Sequence, residues 1–118
     1  MKTTRYQISP FVTRDGSEIR ELLHPVMHGN RQQSLAEARV LPGCATRLHK
    51  HHQTEELYHI LSGSGLMSLG NSTFSVCAGD TVCILPGISH CIKNTGKQDL
   101  VFLCCCSPAY THEDTELL

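Results

Sequence analysis

Apolar positions along this chain fall in short runs with a two-residue period, and no long stretch carries the spacing of an amphipathic helix. Strands are predicted over Glu18 to Leu23, Ser34 to Leu41, Arg47 to His51, Glu56 to Ser62, Gly65 to Leu69, Ser72 to Cys77, Thr81 to Leu85, Cys91 to Asn94 and Leu100 to Cys106. Turn formers separate them, among them Asp15-Gly16, Pro42-Gly43, Gly70-Asn71, Ala78-Gly79-Asp80, Pro86-Gly87 and Asn94-Thr95-Gly96. A helical reading competes only at Leu35-Ala36-Glu37-Ala38. So many short strands at close spacing predict an all-β barrel or jelly-roll sandwich. No internal repeat or low-complexity segment breaks the pattern.

The chain has 118 residues, enough for one domain with a genuine core and too few for two ordinary ones. Its formal net charge is -1, with no basic stripe, acidic tail or like-charge block, which argues against nucleic acid and membrane surfaces as partners. Met1-Lys2-Thr3-Thr4-Arg5-Tyr6 leads into no apolar stretch of signal or membrane-span length, so a soluble, cytoplasmic protein with small-molecule partners is expected. The seven cysteines do not read as a disulfide framework, because their number is odd and three are consecutive. On a strand Cys104, Cys105 and Cys106 would face alternate sides, so they read as small packing residues rather than a thiolate site. Cys44, Cys77, Cys83 and Cys91 share no CxxC spacing and read as structural too.

One cluster carries chemistry. His49-Lys50-His51 precedes Glu55-Glu56, and His90 follows the Pro86-Gly87 turn. Two residues apart on a strand, His49 and His51 share a face and stand roughly 7 Å apart, so both rings can lean toward one ion. Lys50 and His52 then face away. In the next segment Glu56, Tyr58 and Ile60 share one face and Glu55, Leu57 and His59 the other, and alternation leaves open which glutamate joins the histidines. Three neutral imidazoles and one carboxylate form a borderline donor set suited to iron, manganese, nickel, cobalt or zinc. Glycines frame the cluster, with Gly43 and Gly63 around its first part and Gly79 and Gly87 ahead of His90.

These residues resemble the two motifs of the cupins, specifically of their small single-domain members. The first, G-x5-HxH-x3,4-E-x6-G, is matched by Gly43, His49, His51, Glu56 and Gly63. The second, G-x5-PxG-x2-H-x3-N, is matched by Gly79, Gly87, His90 and Asn94, with Leu85 where the family usually has proline and Pro86 directly after it. The resemblance implies a double-stranded β-helix (jelly-roll) cupin barrel spanning residues 1–118 as a single domain. Motif 1 lies at 43–63 and motif 2 at 79–94, with N-terminal strands or an arm over 1–33 and a C-terminal tail over 107–118. It selects Glu56 over Glu55, and implies that His49, His51, Glu56 and His90 hold one divalent transition metal ion. It also implies a homodimer in which residues preceding Ser34 exchange or pair.

Such a ligand set leaves two positions of an octahedral ion for water, dioxygen or a bidentate substrate. In cupins with these ligands the resemblance extends to quercetin dioxygenases, acireductone dioxygenases and oxalate-degrading enzymes. A metal-dependent enzyme acting on a small oxygenated substrate is therefore expected, dioxygenase-like, with Glu56 as ligand and proton acceptor. Two other classes stay open: a metal-dependent isomerase or lyase acting on a sugar or keto acid, for which only Arg47 and Arg39 offer cations, and a non-enzymatic binding or sensor module. No helical DNA-binding segment accompanies the latter. Arg47 and Tyr58, by strand parity with His49 and Glu56, are candidate substrate-lining residues. Asn94 is expected to brace the barrel, and His24, His28, His52, His59 and His112 to lie outside the site.

Overall fold

Where apolar and polar positions alternate, the chain extends. In the computed structural model, which describes residues 1–118, the strands are β1 (Phe11–Val12), β2 (Glu18–Leu23), β3 (Ser34–Val40), β4 (His49–His51), β5 (Glu55–Ser62), β6 (Ser64–Leu69), β7 (Ser72–Cys77), β8 (Thr81–Ile84), β9 (His90–Asn94), β10 (Leu100–Ser107) and β11 (Thr115–Leu117). Burial follows the pleat: Glu56, Tyr58 and Ile60 turn inward on β5, as do Leu100, Phe102, Cys104 and Cys106 on β10. Two antiparallel sheets result, ordered β1-β2-β3-β10-β5-β8 and β11-β4-β9-β6-β7. Their inner faces meet over Ile60, Met67, Ile92, Leu100 and Phe102, all fully buried, which closes the jelly roll. No helix is long and apolar enough to cross a membrane.

The structure departs from the sequence reading at several edges. Leu35 to Ala38 is strand as predicted, held within β3 by β10 on one side and β2 on the other, and only the competing helical reading falls away. β4 starts at His49 rather than Arg47, because the N–H of Arg47 donates to the Asp15 carbonyl at 2.7 Å instead of to a neighbouring strand. Two short strands were not expected: β1, and β11 in the tail, which pairs with β4. One α-helix turn, α1 (Pro25–His28), was not expected either. It is capped locally, since His24 Nδ1 accepts from the N–H of Val26 and Gly29 closes it at φ 85°. The residues before Ser34 pair within their own chain, β2 lying beside β3.

Two turns place the elements that matter. Leu85 to Ile88 closes with the N–H of Ile88 on the Leu85 carbonyl at 3.2 Å, with Gly87 at φ 81°. Pro86 therefore occupies the position where its fixed φ suits a type II turn, and Gly87 the position that demands a positive φ. The N–H of Gly87 then donates to the His51 carbonyl at 2.7 Å, tying the approach to β9 onto β4. At the other end of β9, buried Asn94 donates through Nδ2 to the carbonyls of Val40 (2.9 Å) and Gln98 (2.7 Å), and its Oδ1 accepts from the N–H of Gly96 at 2.9 Å.

Candidate metal centre

The inward pleat of β4 presents His49 and His51, and β9 opens on His90 directly opposite His49. All three are buried, and their donor nitrogens lie within 4.8 Å of one another. Their tautomers follow from what the other ring nitrogen meets. His49 Nδ1–H donates to the Arg47 carbonyl at 2.7 Å and His90 Nδ1–H to the Ile88 carbonyl at 3.0 Å, both acceptors only. His51 Nδ1 lies 3.0 Å from the hydroxyl of Thr115, which already donates to the Thr111 carbonyl and so accepts from the ring. Each imidazole thus turns a lone pair on Nε2 toward the same point, the arrangement that second-shell partners impose on metal-binding histidines.

Glu56 enters from the other sheet. Its Oε1 is 3.1 Å from His51 Nε2 and 3.5 Å from His90 Nε2. Burial raises its pKa, but when the facing His51 and His90 carry a proton toward it, their hydrogen bonds and charge outweigh burial and bring it down to about 2. The other oxygen, Oε2, accepts from the thiol of Cys106 at 3.2 Å. Burial, and then the Glu56 charge, push that thiol's pKa up, so it stays a donor. The pKa of His49 is lowered too, here by burial first and then by a charge on His90, which favours the neutral ring.

Neutral imidazole lone pairs facing a carboxylate oxygen need a proton or a cation between them. His90 Nε2 is buried with no hydrogen-bond partner at all, an orphaned acceptor that a metal ion satisfies. The residues present therefore fit a divalent ion bound by His49, His51 and His90, with Glu56 adjacent.

Beside the donors lies a cavity of about 40 Å³, room for a few waters. The small inward faces of Ala36, Cys104 and Cys106 leave that space, with Phe102 and Tyr58 closing the wall. Tyr58 is 2% exposed, with its ring centroid 6.0 Å from that of His90. Burial and the Glu56 charge raise its hydroxyl pKa and keep it protonated. Arg47 does not reach the cavity: its side chain is exposed, and only its carbonyl serves the site, through His49. The change of strand start removes the parity argument that placed it inside. His52 points outward to Glu116 at 3.1 Å, and His59 bonds Thr81.

Sequence reasoning missed Asp15, Glu21, Cys106 and Thr115. Asp15 was read only as part of a turn, yet its Oδ2 stands 3.8 Å from His49 Nε2. Thr115 lay in a tail without motif, and Cys106 was read as filler. The contact between Cys106 and Glu56 follows from the β10–β5 register, which pairs those two residues.

Two facing antiparallel sheets with three convergent histidines at one end define a metal-binding jelly-roll barrel. The Cupin domain model matches residues 36–106, and the chain belongs to the cupin family. It is 52% identical over 118 residues to an uncharacterized protein of Methanocaldococcus jannaschii, covering 100% of this chain and 94% of that one. It is 36% identical over 86 residues to the oxalate-binding protein of Thermotoga maritima, covering 73% of this chain and 71% of that protein. A predicted oxalate decarboxylase of Thermotoga maritima, known from its crystal structure, superposes with a TM-score of 0.80 at 31% identity, over 92% of this chain and 99% of that one.

Proposed function

We propose that the chain is a metal-dependent enzyme acting on a small oxygenated substrate, with dioxygen as co-substrate, at a centre formed by His49, His51, His90 and Glu56. The observation that carries this reading is the orphaned, buried Nε2 of His90 beside two further imidazole lone pairs and a carboxylate oxygen. A divalent transition ion, of iron, manganese, nickel, cobalt or zinc, would supply Lewis acidity and, for the redox-active ions, one-electron chemistry. The chain supplies the rest. Thr115 and the carbonyls of Arg47 and Ile88 fix the rings, so little reorganisation accompanies substrate entry. Cys106 holds Glu56 Oε2 and leaves Oε1 facing the centre, where an ionised carboxylate accepts a proton from a substrate hydroxyl. Phe102 and Tyr58 keep the wall dry, and the small cavity suits a substrate of few atoms.

A second reading, a binding module without turnover, is supported by the Thermotoga maritima relative named for oxalate binding. A phosphosugar isomerase receives no such support, since no Lys or Arg lines the cavity and Arg39 is paired with Asp99 at 3.1 Å. The homodimer belongs to the same proposal. Leu57 and Leu61 stand exposed on the outer face of β5, where a second copy would cover them.

Elemental analysis of the full chain purified without chelators, with a His51→Ala control, tests the site. Oxygen uptake over catechols, β-diketones, flavonols, α-hydroxy acids and oxalate then tests the activity. One ion per chain, lost in the variant, together with uptake on one of these substrates is the expected result. Unchanged metal content in His51→Ala would overturn the site, and binding without oxygen uptake or product would select the module.

A further inference from the structure

A ligand approaching the centre meets an unusual balance of charge. Apart from the histidines, every charged side chain lining the cavity is a carboxylate: Asp15 on the turn between β1 and β2, Glu21 on β2, and Glu56. Asp15 is fixed in place, because its Oδ1 accepts from the N–H of Ser17 at 2.9 Å and from the Ser17 hydroxyl at 2.6 Å. That leaves Oδ2 turned toward His49 Nε2 at 3.8 Å. Glu21 is a different kind of group. It is 7% exposed, and its buried Oε2 has no hydrogen-bond partner. Buried polar atoms are nearly always paired, so one left open on a cavity wall calls for a partner that arrives with a ligand. Glu21 also borders the outer groove formed with Phe11, His24 and Met27, so it stands between that groove and the centre.

We infer that Asp15 and Glu21 set the ligand class of this centre: a small oxygenated molecule with no more than one negative charge, paired at its far end with Glu21 Oε2, and that dianions are disfavoured. This rests on the metal-centre reading above. The charges decide it. With a divalent ion in place, Glu56 and Asp15 together balance its two positive charges. A dianion would then leave two uncompensated negative charges in a buried site with no Lys or Arg to meet them. A monoanion or a neutral chelator avoids most of that cost. Burial raises the Glu21 pKa, against a lowering by His24 and with a further rise from Glu56. A protonated Glu21 can donate to a ligand oxygen as well as accept from an N–H.

The test uses the cobalt-loaded full chain and two ligands of nearly equal shape, oxalate and its monoanionic amide oxamate, with dissociation constants read by calorimetry. Asp15→Asn removes a charge at constant size, and the ratio of oxalate to oxamate affinity is expected to rise at least about tenfold, since the dianion feels Asp15 twice as strongly. Glu21→Leu removes the open carboxyl. Oxamate affinity is expected to fall at least about fivefold while cobalt stoichiometry holds and thermal stability stays level or rises, because a buried polar atom without a partner has gone. A merely structural Glu21 would instead show lost stability with unchanged affinity. A ratio unmoved by Asp15→Asn, or oxamate bound equally well by Glu21→Leu, overturns the inference while leaving the metal centre standing. Failure of cobalt to bind at one ion per chain overturns the metal-centre reading itself and this inference with it.

Discussion

Replacing Cys106 tests whether the barrel wall tunes the metal centre through Glu56. Cys106 is 2% exposed, and its thiol sits 3.2 Å from Glu56 Oε2. A hydrogen bond to a charged acceptor contributes about 1.5–3 kcal/mol, and a thiol, as a weak donor, belongs at or just below the bottom of that range. Loss of about 1.4 kcal/mol is a tenfold change in a binding constant. Cys106→Ala removes the donor and leaves Oε2 buried without a partner, so the carboxylate is freer to turn away from His51 and His90. Metal affinity is expected to fall about tenfold, the lower end of the effect of removing outer-shell partners. Cys106→Ser keeps a hydroxyl at nearly the same place and should recover most of the loss. Competition with a chromophoric chelator for zinc or cobalt at fixed pH measures both variants. An alanine variant that binds metal within about twofold of the unmodified chain, or a serine variant as weak as alanine, would refute the argument, since either outcome separates affinity from the hydrogen bond.

Two further perturbations read the scaffold. Asn94→Ala deletes three buried or half-buried hydrogen bonds at the end of β9; at about 1 kcal/mol each, with some extra for stranded partners, a loss of about 3–4 kcal/mol is expected from urea denaturation of the metal-free chain. A loss below about 1 kcal/mol would show that water replaces those contacts. Asp114 accepts from the backbone N–H groups of Gln53 and Thr54 at 2.9 and 3.0 Å, tying the loop after β4 to the tail. Burial raises its pKa, but the Thr54 and Gln53 donors outweigh that and hold it below the usual value. A depressed carboxylate pKa gives stability that is present above the ordinary value of about 4 and lost as pH falls through the folded value. Asp114→Asn should therefore be less stable than the unmodified chain at neutral pH, with the gap closing in acid. A gap that is constant with pH would mean the carboxylate charge is not what holds the loop.

Much of the fold was legible because alternation is a strong signal when one face of a strand is buried. β2 and β7 run over the residues predicted, and the boundaries of most other strands moved by only one or two residues. The failures have physical causes. β1 and β11 are two and three residues long, too short for alternation to register, and exist only because β2 and β4 offer them an edge. α1 depends on His24 and His28 acting as local hydrogen-bond partners, a use of histidine with no spacing signature. Leu35 to Ala38 is no failure: the predicted strand forms despite a competing helical preference, because a strand with a partner on both sides overrides a weak local one.

The candidate site divides along the same line. His49 and His51 announce themselves by parity, Glu56 is chosen over Glu55 only by the spacing of the motif that ends at Gly63, and His90 stands out by its place after a turn whose proline and glycine have defined roles. What surrounds them comes from distant strands: Asp15 from a turn, Glu21 from β2, Cys106 from β10 and Thr115 from the tail. None has a local pattern, because its relation to the histidines is set by register across the barrel rather than by spacing along the chain. The two kinds of residue also do different work. Spacing in sequence identifies donors, which any ion of the right class would accept. The carbonyls of Arg47 and Ile88, two residues back, fix the rings of His49 and His90, whereas the cross-barrel residues fix the tautomer of His51 through Thr115 and hold the carboxylate through Cys106. A motif therefore reports donors able to hold a metal ion, whereas the charge around them comes from residues such as Asp15 and Glu21, which become neighbours of the site only when the chain folds.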